Sequence, residues 1–197
     1  MIGALPEYLK IGGVDHEIRS DYRNVLQVFE AFNDPELTLD EKWTVAIAIF
    51  FKCFSCPDDA WEALKSGFPG EEAARQICWF ISAEKAPGKK IELPVYDWIQ
   101  DEQMIFSAVN KIAGKETREV EYLHWWTFLG YFNEIGEGNF SFIVGIRTKL
   151  NNKKKLEKNE QEFLNNNRDL VKLDQRKTKE ELAQKAECNA LLDRLIG

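Results

Sequence analysis

The chain of 197 residues is 44% apolar and carries 13 Phe, 6 Trp and 5 Tyr, enough to bury a substantial core, which excludes a disordered chain. No stretch approaches the ~20 uninterrupted apolar residues of a membrane span, and the opening MIGALPEYLKIGG lacks the basic, apolar and small-residue order of a secretory signal, so a soluble protein of the cytoplasm is expected. The net charge of −7 is unevenly divided, with 13 basic against 24 acidic residues up to Ile146 (−11) and 13 against 9 from Arg147 onward (+4); the acidic body repels nucleic acid, whereas the basic tail suits an acidic partner.

In chain order, Leu9, Ile11, Val14, His16 and Ile18 flank Gly12-Gly13, a two-residue turn that predicts a short β-hairpin. Asp21 then caps a helix with Tyr22, Val25, Leu26, Phe29 and Phe32 at helical spacing, ended by Asn33-Asp34-Pro35. Thr38 and Glu41 form a capping box, T-x-x-E, ahead of a core stripe of Trp43, Ala46, Ile47, Phe50, Phe51 and Phe54, which Pro57 is expected to stop. A short helix through Trp61 and Leu64 follows, then one from about Glu71 to Glu84 containing Ile77, Phe80 and Ile81. Ala86 to Pro94 reads as a loop. Asp97 is expected to cap a helix carrying Trp98, Ile105, Val109 and Ile112, ended by Gly114, and an aromatic helix is predicted from Val120 to Ile135. Between Phe140 and Ile146, β-branched content and helical spacing disagree, and we assign helix.

Beyond Arg147 the aromatics dwindle to Phe163 and polar residues dominate. Leu156, Phe163 and Leu170 lie seven apart, the minimum hint of a coiled-coil seam, which Lys177 breaks. Thr178 and Glu181 offer a second capping box before a last helix with Leu182, Leu191, Leu192 and Leu195. The expected architecture is therefore mainly α: a compact helical body with an N-terminal β-hairpin over 1–147, and a charged, partly helical, separable tail over 148–197.

Chemistry-bearing patterns are few. Cys53-Phe54-Ser55-Cys56 has C-x-x-C spacing, but it falls at the expected end of an apolar helix, where nothing favours a thiolate, and no second pair offers zinc-ligand spacing. Cys53, Cys56, Cys78 and Cys188 read as reduced thiols. His124, among aromatics, reads as a hydrogen-bonded core histidine rather than a base, since no nucleophile accompanies it. Asp97 and Asp101 lack the alternation of a calcium loop and read as a cap plus a solvated face. No phosphate-binding glycine motif occurs. These patterns predict no catalytic residue, no cofactor and no metal. The Lys153-Lys154-Lys155 run, followed at once by Glu157, Glu160 and Glu162, lacks the aromatic interleaving of a nucleic-acid surface. Lys153, Lys154, Lys155, Leu156, Phe163 and Leu170 are the candidate partner-binding residues.

A set of short segments carries a resemblance over nearly the whole chain: Asp21-Tyr22-Arg23 after the hairpin, Asp40-Glu41-Lys42, Tyr96-Asp97-Trp98 with Asp101, Leu123-His124-Trp125-Trp126 with Phe128, Gly145-Ile146-Arg147, and Lys154-Lys155-Leu156-Glu157 with Glu160 and Phe163. In order and spacing the chain resembles a family of siphophage and prophage proteins encoded between the major tail protein and the tape measure protein. The resemblance implies a tail assembly chaperone, a non-catalytic protein that binds the tape measure protein and passes it to the major tail protein as the tube polymerises in the host cytoplasm, with self-association allowed and no role for nucleic acid or membrane. Three alternatives stand beside it: a structural tail or connector component retained in the virion, an enzyme with an unrecognised site around Cys53, Cys56 and His124, and a prophage-derived host protein reused, for instance in regulation.

Overall fold

The computed structural model describes residues 3–83 and 94–174. They belong to two compact units, mainly helical, with a two-stranded antiparallel hairpin at the N-terminal end. No helix among the described residues is long and apolar enough to cross a membrane.

In the first unit, β1 (Tyr8–Ile11) and β2 (Val14–Glu17) pair with Ile11 opposite Val14 and Tyr8 opposite Glu17. Gly12 and Gly13 both have left-handed φ, +59° and +82°, as a tight two-residue hairpin turn demands. Leu9 and Ile11 point into the core, and Glu72 accepts the Gly12 N–H. The chain then continues into α1 (Tyr22–Asn33), capped by Asp21, whose carboxylate accepts the Arg23 N–H. Its buried face is Tyr22, Val25, Val28 and Ala31; the predicted face was rotated, with Leu26, Phe29 and Phe32 only half-buried. Small side chains here let α1 lie close against its neighbour, and the larger rings flank the contact, as Phe32 does edge-on to Trp43 at 4.8 Å.

That neighbour is α2 (Leu39–Phe50), opened by the expected capping box: Glu41 Oε2 accepts the Thr38 N–H at 2.8 Å, and Thr38 Oγ1 accepts the Glu41 N–H. Ala46, Ile47, Phe50, Phe51 and Phe54 are buried as predicted. Pro57 does not stop this helix, which ends at Phe50; it opens α3 (Pro57–Lys65) at the first helical position, where a missing N–H costs nothing. What ends α2 is Arg19. Its guanidinium donates to the carbonyls of Ala48, Ile49, Phe51 and Phe54 at 2.7 to 3.2 Å, satisfying acceptors that a helix C-terminus leaves open and placing a cation at the negative end of the dipole. The helix α4 (Gly70–Ser82) buries Ala73, Ile77 and Phe80, the last edge-on to Phe50 at 5.1 Å.

The second unit opens with a turn in which Asp97 Oδ1 accepts the N–H groups of Ile99 and Gln100. The helix expected from Asp97 begins four residues later, as α5 (Glu102–Ala113), and Gly114 ends it in the left-handed conformation. The aromatic helix likewise starts later than Val120. Its first residue is Trp125, because His124 is the cap, with Nδ1 accepting the Trp126 N–H at 3.0 Å; this is α6 (Trp125–Asn133). Tyr96, Trp98, Trp125, Phe128, Phe132 and Phe140 form the aromatic core, with Trp98 4.7 Å from Phe132 and 5.9 Å from Trp125. Burial pushes the Tyr96 phenol up.

The segment at 140–146 is helical, within α7 (Asn139–Asn151), followed by α8 (Lys158–Asn166) and α9 (Arg168–Val171). The boundary expected at 147/148 therefore falls inside α7, and residues 148–174 are part of the second unit. The reason is Arg147. Its guanidinium makes a two-pronged ion pair with Asp101, at 2.6 and 3.0 Å, and donates to the carbonyls of Val171, Leu170 and Val95 at 2.7, 2.8 and 3.2 Å. One buried side chain thus ties the segment before α5 and the segment at α9 to α7. Asp101 is correspondingly 1% exposed, not on a solvated face. The heptad hint also fails as a continuous seam: Leu156 precedes α8, Phe163 lies within it, Leu170 lies in α9, and the helix breaks at Asn167. The second capping box and last helix, and the loop from Ala86 except Pro94, lie outside the described residues.

Candidate functional site

The end of α7 and the start of α8 build a basic corner. After the C-cap Asn152, Lys153 takes a left-handed φ of +53°; its N–H donates to the Leu150 carbonyl and that of Lys154 to the Lys149 carbonyl. These two bonds make a Schellman closure, in which the left-handed position normally belongs to glycine. Lys153→Gly should therefore stabilise the protein, by up to about 1 kcal/mol. Thermal denaturation checks it: a fall in melting temperature would mean that the lysine side chain contributes more than its backbone conformation costs.

The closure turns the chain so that Leu150, Lys154, Lys155, Leu156 and Lys158 line an open groove of about 1150 Å³ along α8. Leu150 is 43% exposed and Leu156 half-buried, so the groove has apolar surface between its lysines. Beside it, Lys149 is occupied: its ammonium lies 2.6 Å from Glu160 and 3.5 Å from Glu157. The hydrogen bond from Lys149 holds the Glu160 carboxyl below its ordinary range, and Glu160 raises Lys149. Because the carboxyl is depressed in the fold, the pair's stabilisation is present above the ordinary carboxylate pKa and lost as pH falls through the lowered value. Glu160 also accepts the Glu157 N–H, closing a capping box at the start of α8. Among the described residues, Lys153, Lys154, Lys155 and Lys158 enter no ion pair.

Of the six residues singled out from the sequence, the structure brings Lys154, Lys155 and Leu156 together in this groove. Lys153 supplies the backbone turn. Phe163 packs edge-on against Phe142 at 5.1 Å, and the Leu170 carbonyl accepts from Arg147, although its side chain is 41% exposed. Lys158, which the sequence reading passed over, joins them because α8 starts at it.

The other candidates resolve differently. His124 is buried and spent as a helix cap. Cys53 and Cys56 lie in the loop between α2 and α3, not at the end of an apolar helix, and Cys56 is the N-cap of α3. Cys53 Sγ is 3.9 Å from His16 Nδ1, and partial burial pushes its thiol up, against thiolate formation. No group of three His, Cys, Asp or Glu among the described residues could hold a metal ion. Both thiols are exposed. We expect Cys53→Ser with Cys56→Ser to leave stability within about 0.5 kcal/mol and partner binding unchanged; stoichiometric zinc in the parent protein, lost in the double variant, would overturn this.

A family model described as Bacteriophage Gp15 protein matches residues 1–173. No curated protein and no solved structure matches the chain.

Proposed function

The chain belongs to the Bacteriophage Gp15 protein family, and from that premise we propose that it is a tail assembly chaperone, which binds the tape measure protein, assists its packing into the tail tube and performs no covalent chemistry. The observation that carries the reading beyond family membership is the basic, partly apolar groove at the end of α7. Its lysines are unpaired among the described residues on a protein whose net charge is −7. A long helical partner with acidic stretches has both chemistries needed to occupy such a surface. Exposed charge pairs contribute little individually, so the complex is reversible, as displacement by polymerising major tail protein requires.

The deciding experiment is co-expression with the tape measure protein encoded by the same phage. The reading predicts that the tape measure protein becomes soluble and co-purifies, and that purified virions lack the chain by mass spectrometry. A tape measure protein that stays insoluble, together with stoichiometric recovery of the chain from virions, would make it a structural tail component.

A further inference from the structure

We infer that the groove between the α7 closure and α8 docks the acidic face of an amphipathic helix, with Lys154, Lys155 and Lys158 meeting its carboxylates and Leu150 and Leu156 its apolar edge; that the helix belongs to the tape measure protein rests on the chaperone reading. Local charge balance supports this docking. Glu160 is committed to Lys149 and to the Glu157 N–H, and Glu157 is shared with Lys149 at 3.5 Å, so the groove sets three unpaired lysines against Glu162 and the partly engaged Glu157 and keeps a basic excess. Local stability explains only part of where the cations sit. Lys154 and Lys155 follow the C-terminus of α7, where a cation is favoured, but Lys158 is the first residue of α8, where the dipole disfavours one, and Lys153 holds a conformation suited to glycine. Positions that break local rules without a compensating contact are where function is expected. The polar residue Gln161, one turn along α8 from Lys158, extends the same wall with an amide that can both donate and accept. Nucleic acid, the other polyanion, fits less well: no aromatic side chain lines the groove, and the chain as a whole is acidic.

The test uses the full-length chain and its variant K154E/K155E/K158E, which changes three exposed side chains and should melt with the parent. A synthetic amphipathic helix with Glu on one face and Leu on the other is titrated into each ¹⁵N-labelled protein, in parallel with a DNA duplex. Shifts centred on Leu150, Lys154–Lys158 and Gln161 are expected with the peptide, with affinity falling roughly tenfold or more in the variant. Raising salt to about 1 M, where screening sets in beyond ~3 Å, should bring the parent toward the variant. Peptide shifts elsewhere, shifts unchanged in the variant, or a groove filled by the duplex and not by the peptide would each overturn the inference. A second arm repeats the co-expression with the variant. If the parent captures the tape measure protein and the variant captures it equally well, the groove is wrong and the chaperone reading stands. If the peptide fills the groove but the parent captures no tape measure protein, the chaperone reading fails and the groove remains an acidic-helix site.

Discussion

Asp101→Ala should destabilise the second unit by about 3–5 kcal/mol, the usual effect of breaking a buried ion pair from one side. Arg147 is 4% exposed, and Asp101 is the carboxylate that meets its guanidinium, at 2.6 and 3.0 Å. Without that carboxylate a full positive charge remains buried against carbonyl dipoles. Asp101 Oδ2 also accepts the Asp97 N–H, so the turn ahead of α5 loosens with it. A paired apolar replacement often restores a buried ion pair, but here Asp101→Leu with Arg147→Met should not. Arg147 also holds the carbonyls of Val95, Leu170 and Val171, and those acceptors would be orphaned, each lost bond to a charged donor being worth about 1.5–3 kcal/mol. Arg147→Lys should fail too, since a single ammonium cannot reproduce a fork that reaches three segments. Denaturant unfolding measures all three, and hydrogen exchange at residues 168–172 should report the release of α9 first. A double apolar variant as stable as the parent would reduce Arg147 to an ordinary ion pair.

This wiring changes what the basic end of the chain can do. Residues 148–174 are not a separable tail, because cutting after Lys149 would remove both the carbonyls that Arg147 needs and the Glu160 that neutralises Lys149. A partner helix in the groove would then meet a surface already ordered, whose lysines are presented by the Schellman closure and the start of α8. Binding to an ordered surface avoids the entropy of folding a segment on contact, which partly offsets the weakness of exposed charge pairs.

What the sequence disclosed was local. Gly12-Gly13, Asp21, the Thr38/Glu41 box and Gly114 announce turns and helix ends because the partner groups lie within a few residues, and all four act as expected. What it did not disclose were the contacts that tie distant segments together within each unit. Asp101 and Arg147 are 46 residues apart, and Arg19 reaches carbonyls 29 to 35 residues away. One signal for Arg147 was present: Phe140, Ile143 and Arg147 share a face of α7, so a buried stripe was carrying a cation that needed an acceptor. Its identity was not readable, since Asp97 and Asp101 look equivalent in sequence. Counting charges located the basic excess correctly, yet could not tell that Lys149 is neutralised while Lys154, Lys155 and Lys158 are not. The start of α6 was misjudged because histidine is an uncommon cap, and aromatic density alone does not mark a first turn.

Trp125 gives the second large expected effect, and its neighbour Trp126 supplies the control. Trp125 is 1% exposed, stacked on Phe128 at 5.8 Å with an interplanar angle of 21°, and 5.9 Å from Trp98. Truncating it to Ala removes a ring that packs on both and opens a cavity that rigid aromatic neighbours collapse poorly, so a loss of about 3–5 kcal/mol is expected. Trp126, one position on, is only half-buried and meets His124 edge-on at 6.2 Å. Its truncation leaves most neighbours in contact with solvent they already touch, and Trp126→Ala should cost about 1 kcal/mol, near the centre of the range for point variants. The sequence could not separate the two residues, because both sit in the same aromatic run; the cap at His124 sets the phase of α6 and turns Trp125 inward. Equal losses in the two variants would mean that α6 is rotated from the position described, and with it the aromatic core of the second unit. A small loss in both would place these rings at a surface, where they would compete with the lysine groove as the site of partner binding.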